Sequence, residues 1–425
     1  MIFFELGGNS IDVLSCVARA AESCLYLNPE SFYRKGQLAQ IVIDSRQSQT
    51  LSSKALKSSL SPLLSASGQR VKVTQIKHLF LTGATGFLGS RLLAEILLQT
   101  DWLVHCLVRA HNEQHARSRL HSALLRWQSS FDAQRIQVIC GDLTQDKDWQ
   151  DLQPRPDAVL HCAAQVDLVR DYQSLRMSNV DSLLPLLTLN CPMHFVSSLS
   201  VIVSAQPRPS MALEIDDLDQ SQSIVGGYAQ SKWAAEWLLR TLRSGQDSWI
   251  YRPGLITMDS HLGVGPDKDW FSWLIQGLLK IGALPKIHDR RWTIDITPVD
   301  YVARAIVYLM TSPAGTYHLA NPVSLSLVDL LYWLSQAFDL PILEIEHWQT
   351  RAHEFLRARP EPRLSAAVLA LCQSLNGAYW HSLDLFQATG IQLASDSTCR
   401  ILEQAGIVCP AADQKLLQFY FNYLK

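Results

Sequence analysis

The chain has 425 residues, enough for two or three domains at a usual size of roughly 150 residues each. Hydrophobic residues make up 48% and charged residues 18%, which predicts a large buried core and argues against disorder. A formal net charge of -2 argues against a protein that binds nucleic acid or a membrane surface through overall positive charge.

Cysteine usage and the N-terminus bear on the compartment. Nine cysteines are scattered along the chain without a CxxC pair or a His/Cys cluster, so no metal site is predicted. The N-terminus has no basic segment typical of a signal peptide, and no run of about 18 apolar residues indicates a membrane span. These features predict a cytoplasmic protein with reduced thiols.

The N-terminal part of the chain differs in pattern from the rest. Residues 1–45 contain the string FFELGGNS followed by apolar positions at helical spacing, which predicts a small helical unit. Residues 46–75 are rich in Ser, Gln and Lys, which is typical of a linker between domains, either unstructured or partly helical.

Strand and helix patterns alternate through residues 76–256, beginning with HLFLTG and ending with SWIYRPG. Such alternation predicts an α/β fold with a Rossmann, doubly wound parallel sheet. Residues 257–425 lose the alternation and are mostly helical by pattern, which predicts a C-terminal subdomain on the substrate side. Ligand-binding loops are expected at the carboxyl ends of the strands.

The string LFLTGATGFLGSRLL predicts a dinucleotide-binding turn between a strand and a helix. Gly83 suits a tight turn, Gly86 lets the backbone approach a pyrophosphate, and Gly89 permits close packing of the helix on the strand. The first N–H groups of the helix attract an anion. The predicted cofactor contacts of this turn are Thr82, Gly83, Thr85, Gly86, Phe87, Leu88 and Gly89.

Later strand ends supply further candidate cofactor residues. Arg109 ends the second strand, where an Arg accommodates the 2′-phosphate of NADPH and an Asp or Glu would favour NAD; Arg119 on the next helix is a candidate assistant. Asp142 and Leu143 follow another strand at the expected adenine position, and Ala163 leaves room for the cofactor. Pro253 and Gly254 are expected at its nicotinamide end.

A candidate catalytic group follows in the string GYAQSKWAAEWLL. Tyr228 and Lys232 are four residues apart, so their side chains lie on one face of a helix. We expect the Lys ammonium to lower the pKa of the phenol and make it a proton donor. Ser197 and Ser198 end a preceding strand and provide a hydroxyl for a substrate carbonyl.

Taken together, TGATGFLG, GDL, VSSLSV, YAQSK and RPG resemble the extended short-chain dehydrogenase/reductase superfamily. LTGATGFLGSRLL with CLVRA, DITPVDYVARAIVYL and YHLANP resembles more narrowly the thioester reductase domains of nonribosomal peptide synthetases, carboxylic acid reductases and fungal aminoadipate reductases. The resemblance implies that Ser198 binds the substrate carbonyl, Tyr228 donates the proton, and Lys232 assists it and contacts NADPH. Ser197 is an adjacent alternative to Ser198.

The string FFELGGNSI resembles the attachment site of acyl and peptidyl carrier domains, which implies a phosphopantetheine arm on Ser10. The alternative for Ser10 is a simple N-cap of the following helix. Carrier domains have another helix before this motif, so residues 1–45 are expected to be a partial carrier segment. The implied partners are a carrier domain, which is an alternative bearer of the phosphopantetheine, and upstream synthetase modules.

The resemblance implies NADPH-dependent reductive release of a carrier-bound thioester as an aldehyde, or onward as an alcohol. One alternative is an extended short-chain dehydrogenase or epimerase that acts on a free small substrate, against which FFELGGNS and Arg109 argue. Another is a non-catalytic NADPH-binding sensor, against which the intact Tyr228 and Lys232 argue.

Overall fold

In a computed structural model of the chain, seven parallel strands form the central sheet. They are β1 (His78–Thr82), β2 (Leu103–Val108), β3 (Ile136–Cys140), β4 (Ala158–His161), β5 (Met193–Val196), β6 (Ser248–Pro253) and β7 (Gly315–Leu319). The structure describes residues 13, 16, 50–64, 75–128, 131–144, 149, 152–167, 170–206, 211–214, 222–243, 247–266, 269–290, 292–358, 364–365, 367–368, 371–372 and 392–424.

Nine longer helices of the described part are numbered in chain order. They are α1 (Phe87–Gln99), α2 (Glu113–Leu125), α3 (Gly227–Arg243), α4 (Trp270–Ile281), α5 (Val299–Leu309), α6 (Leu327–Phe338), α7 (Ile345–Arg357), α8 (Asp396–Gln404) and α9 (Gln414–Leu424). Shorter helical segments lie at Ser53–Leu60, Ser61–Leu63, Ala133–Arg135, Tyr172–Arg176, Met177–Asp181, Leu183–Leu187 and Ser200–Val203. Short strands pair outside the main sheet at Thr50–Ser52, Ala205–Gln206, Met211–Leu213, Ser223–Val225, Ile256–Thr257, Leu284–Pro285, Thr293–Ile294, Thr297–Pro298, Leu325–Ser326, Ile342–Leu343 and Gln392–Ala394.

The strand order of the sheet is β7-β6-β5-β4-β1-β2-β3. From β1 the chain first moves outward through β2 to β3 and then returns to β4 on the other side of β1. The carboxyl ends of β1 and β4 therefore border the crevice at which doubly wound sheets bind their ligands. The predicted Rossmann α/β class is confirmed.

Helices cover both faces of the sheet because successive strand residues point to opposite sides. Leu79 and Leu81 of β1 belong to one core cluster with α1, α2 and α5, whereas Phe80 faces the opposite cluster with α3 and Leu183–Leu187. Both sets are fully buried, which explains why β1 is an almost continuous apolar run.

A separate core lies among the C-terminal helices. Phe271 of α4, Leu330 of α6, Trp348 of α7 and Tyr420 of α9 are buried in one cluster. The predicted helical character of this region is thus seen in its described residues. Two elements after residue 256 also pack with the sheet domain: β7 extends the sheet beside β6, and α5 packs on α1.

Part of the predicted linker is folded onto the sheet domain. The strand Thr50–Ser52 pairs antiparallel with Ser223–Val225, directly before α3. Leu56 and Leu60 share a buried cluster with Trp233 of α3. Ser10 and almost all of the predicted carrier segment lie outside the described residues.

No helix in the described ranges is long and apolar enough to cross a membrane.

We expect Leu56→Ala to lower the free energy of unfolding by about 2–5 kcal/mol, because a buried Leu loses both transfer energy and packing when it becomes Ala. Leu56 is 1% exposed. Urea denaturation measures the change, and Lys54→Ala on the exposed side of the same helix is the control. Equal stabilities of the two variants would show that this segment does not contribute to the fold.

Candidate active site

The residues singled out by the sequence meet at one edge of the sheet. Gly83 follows β1, Arg109 follows β2, Asp142 follows β3, Ala163 follows β4 and Ser198 follows β5. Because the strands are parallel, these positions all lie at their carboxyl ends. Pro253 ends β6 at the same edge, and α3 presents Tyr228 and Lys232.

The glycine turn is shaped by close backbone contacts. Gly83 has a positive φ of 78°, and a Cβ there would lie 2.6 Å from the Ala163 nitrogen. A Cβ on Gly89 would lie 2.0 Å from the Gly83 carbonyl oxygen. The Gly86 N–H donates to that carbonyl at 2.9 Å, and Gly86 is the N-cap of α1. These contacts leave no room for a side chain at Gly83 or Gly89 and hold the start of α1 against β1.

A buried hydrogen-bonded pair links this turn to the end of β4. Thr82 Oγ1 accepts from the Ala163 N–H at 3.2 Å and lies 2.7 Å from His161 Nδ1. Burial, with Lys232 nearby, lowers the pKa of His161 to about 3, so its ring is neutral. The two strand ends that border the crevice are thereby joined by side chains as well as by the sheet. Thr82 and Ala163, both predicted cofactor residues, act here in that connection.

The predicted 2′-phosphate region is open to solvent. The Arg109 side chain is 80% exposed and its NH1 is 3.8 Å from the Asp142 carboxylate. Arg119 donates to the Arg109 carbonyl oxygen. Asp142 accepts from the backbone N–H and the hydroxyl of Thr144, at 2.9 and 2.8 Å. The structure brings the two arginines together beside the carboxyl end of β2, while Leu143 packs partly buried under the sheet.

Ser198 is next to Tyr228, and hydrogen bonding with Ser198 acts to lower the pKa of the Tyr228 phenol. Ser198 Oγ also accepts from the Ser200 N–H at 3.1 Å. The neighbouring Ser197 is buried and its hydroxyl donates to the Glu236 carboxylate instead. The arrangement therefore distinguishes the two serines and favours Ser198 as the partner of Tyr228.

Lys232 is buried beneath this pair. Its Nζ donates to the Val196 carbonyl at 2.8 Å and lies 4.8 Å from the centre of the Phe195 ring. Burial lowers the pKa of Lys232 to about 8, with Cys162 and Glu236 opposing the shift. The ammonium form thus predominates at neutral pH and is lost as the pH rises through about 8.

The expected lowering of the phenol pKa by Lys232 is not seen. Burial raises the pKa of Tyr228 above its ordinary value, Cys162 adds to the rise, and only the hydrogen bond with Ser198 opposes it. Desolvation of the phenolate outweighs the favourable contacts in this pocket. The phenol is accordingly fully protonated at neutral pH, which is the state a proton donor requires.

Gly254 makes room for a carboxylate. A Cβ on Gly254 would lie 1.7 Å from Asp295 Oδ2, which accepts from the Leu255 N–H at 2.8 Å. Thr297 donates to the other oxygen at 2.7 Å, and burial raises the pKa of Asp295 to about 6. Asp295 therefore fixes the turn after Pro253.

Two supporting residues were not predicted. The Asn179 amide donates to Ser231 Oγ and to the Gln165 carbonyl, each at 3.0 Å, and its oxygen accepts from the Gln165 N–H at 2.8 Å. Asn179 thereby ties the loop after β4 to α3. Glu236 pairs with Arg252 inside the protein. Its position four residues after Lys232 is a signal that the sequence does offer.

The observed turn fits a dinucleotide. The approach of α1 to β1 leaves Gly86 exposed at the helix N-terminus, where N–H groups and the helix dipole favour a phosphate. Ser198, Tyr228 and Lys232 lie farther along the same edge of the sheet, after β5. A cofactor extending from the turn toward β5 would place its reactive end near these groups.

Comparison with known proteins bears on this arrangement. The family model described as Male sterility protein (NAD_binding_4) matches residues 81–306, from the glycine turn to α5. A component of the linear gramicidin synthase of Brevibacillus parabrevis is 29% identical over 99% of this chain and 9% of its own length. Isonitrile lipopeptide synthase of Streptomyces coeruleorubidus is 32% identical over 81% of this chain and 24% of its own length. The chain thus spans less than a quarter of each of these relatives.

A solved structure agrees with the sequence matches. The terminal R domain from the myxalamid PKS-NRPS biosynthetic pathway is 30% identical with a TM-score of 0.71, covering 85% of this chain and 93% of that chain. The resemblance expected from the motifs is confirmed. The chain belongs to the NAD-binding family described as Male sterility protein, and within it is an oxidoreductase domain of the thioester reductase type.

Proposed function

We propose that this chain catalyses NADPH-dependent reductive release. Its substrate is an acyl or peptidyl thioester on a phosphopantetheine arm, and its product is an aldehyde, or the alcohol after a second reduction. The observation that carries the proposal is the placement of Ser198, Tyr228 and the buried Lys232 at the sheet edge that bears the glycine turn.

NADPH supplies a hydride when bound. The turn at Gly83, Gly86 and Gly89 would hold its pyrophosphate. Arg109 and Arg119 would hold the 2′-phosphate, because a guanidinium pairs strongly with a phosphate. Asp142 and Leu143 would border the adenine, and Pro253 and Gly254 the nicotinamide. Lys232 would donate to the ribose in addition to the Val196 carbonyl.

Ser198 and Tyr228 stabilise the charge that hydride addition places on the thioester oxygen. Ser198 Oγ accepts from the Ser200 N–H, so its own proton is available for donation. Tyr228 donates a second hydrogen bond and then its proton, giving a hemithioacetal. Cleavage of the carbon–sulfur bond releases the aldehyde, and the hydroxyl proton of the hemithioacetal leaves with the pantetheine thiol. A proton from solvent then restores the Tyr228 phenol.

The relatives support a carrier-bound substrate. Two of them are named as synthases and are much longer than this chain. We infer that the substrate arrives on a carrier domain of such an assembly, either on Ser10 of this chain or on a separate carrier. Upstream synthetase modules are the corresponding partners.

Tyr228→Phe should reduce kcat by about 100- to 10,000-fold, because general acid catalysis contributes that much and Phe cannot donate a proton. The measurement is thioester-dependent oxidation of NADPH, with acyl-pantetheine and acyl-coenzyme A substrates. Tyr332→Phe, at an exposed tyrosine, is the matched control. Turnover that is unchanged in Tyr228→Phe would overturn the assigned proton donor, and no thioester turnover by the wild type would overturn the proposed function.

Arg109→Ala should raise KM for NADPH by about tenfold or more and leave KM for NADH nearly unchanged, because a charge-assisted bond to the 2′-phosphate is lost. Steady-state kinetics with both cofactors measure the ratio. Arg117→Ala removes an exposed arginine of α2 that pairs with Glu113 and serves as the control. Equal effects on both cofactors would argue against a 2′-phosphate contact.

Gly89→Ala should weaken cofactor binding by at least about tenfold, because the added methyl must push α1 away from the Gly83 carbonyl. Fluorescence titration with NADPH measures the dissociation constant. Gly315→Ala adds the same methyl where nothing lies within 4 Å, so its affinity should match the wild type. Wild-type affinity in both variants would contradict the assigned turn.

A further inference from the structure

A buried ion pair lies directly behind the catalytic residues. Glu236 of α3 and Arg252 of β6 each have fully buried side chains. Arg252 donates from NH2 to Oε2 at 2.7 Å and from Nε to Oε1 at 3.0 Å. This bidentate geometry fixes the relative orientation of the two groups, and it satisfies much of their hydrogen-bonding capacity inside the protein.

Each partner of the ion pair is adjacent to a catalytic segment. Glu236 is one helical turn beyond Lys232 on the same helix. Arg252 directly precedes Pro253 at the end of β6. Ser197, whose hydroxyl donates to Glu236 Oε1, directly precedes Ser198. One carboxylate thus connects α3 with the ends of β5 and β6.

Glu236 also carries a negative charge close to three cations, Arg252, Arg240 and Lys232. Burial alone would raise its pKa, but Arg252, Arg240 and the Ser197 hydrogen bond together hold the pKa below its ordinary value. Arg240 lies 3.8 Å from the carboxylate. The charge on Glu236 in turn opposes the lowering of the Lys232 pKa by burial. Neutralising Glu236 would leave these cations without their shared anion.

We propose that Glu236 is a positioning residue of the reductase site, whose carboxylate fixes Ser198 through Ser197 and supplies a negative charge one helical turn from Lys232. The role of Glu236 in catalysis rests on the proposed function, whereas its electrostatic effect on Lys232 does not. No bond forms or breaks at Glu236, and it touches neither substrate nor cofactor.

Other groups also act on Lys232 or on the ion pair. His161 and Cys162 at the end of β4 are coupled to Lys232; His161 is neutral, and burial raises the pKa of Cys162 to about 12, so the thiol is uncharged. His318 of β7 lies 3.4 Å from Arg252 NH1, and burial, followed by Arg252, lowers its pKa to about 3. Among these neighbours Glu236 is the group that carries negative charge at neutral pH.

The test compares Glu236→Gln with the wild type by NMR titration of the lysine side-chain ammonium groups, with Lys232 assigned by its loss in Lys232→Arg. The wild-type midpoint is expected at about 8. Loss of a nearby opposite charge should lower the midpoint by about one pH unit or more. In a plot of kcat against pH for an acyl-coenzyme A thioester, the alkaline limb should shift to lower pH by the same amount.

Asp300→Asn is the matched control. Asp300 is also fully buried, accepts from the Ser260 hydroxyl at 2.7 Å and pairs with Arg304 at 3.2 Å, but it lies on α5 away from the site. This variant should lose stability without moving the Lys232 midpoint. An unchanged midpoint in Glu236→Gln, or an equal shift in both variants, would overturn the proposal.

Ser197→Ala tests the positioning of Ser198 separately and removes only one hydroxyl. It should lower kcat about tenfold with little change in KM, because a misplaced catalytic group costs rate more than binding. If Glu236→Gln does not fold, this variant decides the proposal, and wild-type kcat would overturn it. Absence of turnover in the wild type would count against the proposed function alone, since the titration midpoint does not depend on turnover.

Discussion

The ion pair between Glu236 and Arg252 is the interaction on which the geometry of the site depends. It joins α3 to β6 with both charges fully buried, and it holds Ser197 at the end of β5. A buried pair of this kind is costly to break, because removal of one partner leaves an uncompensated charge in the interior. The side chains proposed as catalytic are therefore connected by contacts between regular elements, of which β5 and α3 are more than 30 residues apart in sequence.

The electrostatics of the pocket keep both of its main titrating groups protonated at neutral pH, one of them neutral and the other charged. Tyr228 keeps its proton because burial disfavours the phenolate. Lys232 keeps its charge because Cys162 and Glu236 oppose part of the effect of burial on its pKa. A neutral donor beside a buried cation suits a reaction in which negative charge appears on a carbonyl oxygen. In the proposed reaction, proton transfer from Tyr228 would become favourable only when that oxygen is more basic than the phenolate, that is, after hydride addition.

The local motifs could be predicted from the sequence because their physics is local. Gly83 and Gly89 sit within one turn, and Tyr228 and Lys232 are one helical turn apart, so spacing alone places each pair. The class of fold followed from the alternation of strands and helices. The choice between Ser197 and Ser198 could not be made from the sequence, because it depends on Glu236, which approaches from another element.

Long-range contacts explain what the sequence did not predict. The strand β7 is short and lies among helical patterns, so its membership of the sheet depends on pairing with β6 more than 60 residues earlier. The strand and helix at 50–63 resemble a linker in composition, and only their packing on α3 makes them part of the fold. The raised pKa of Tyr228 has a similar origin, because desolvation depends on all the groups that surround the phenol. The spacing of residues in the sequence indicates only which residues are close along the chain.

The most direct test of the account is isotope transfer from NADPH deuterated at the transferred hydrogen to an acyl thioester loaded on a carrier domain. Mass spectrometry of the product and quantification of free pantetheine thiol would report both halves of the reaction. The account predicts an aldehyde that carries the deuterium on its carbonyl carbon, released together with an equal amount of thiol. Release of an unlabelled carboxylic acid, or oxidation of NADPH without thiol release, would contradict it.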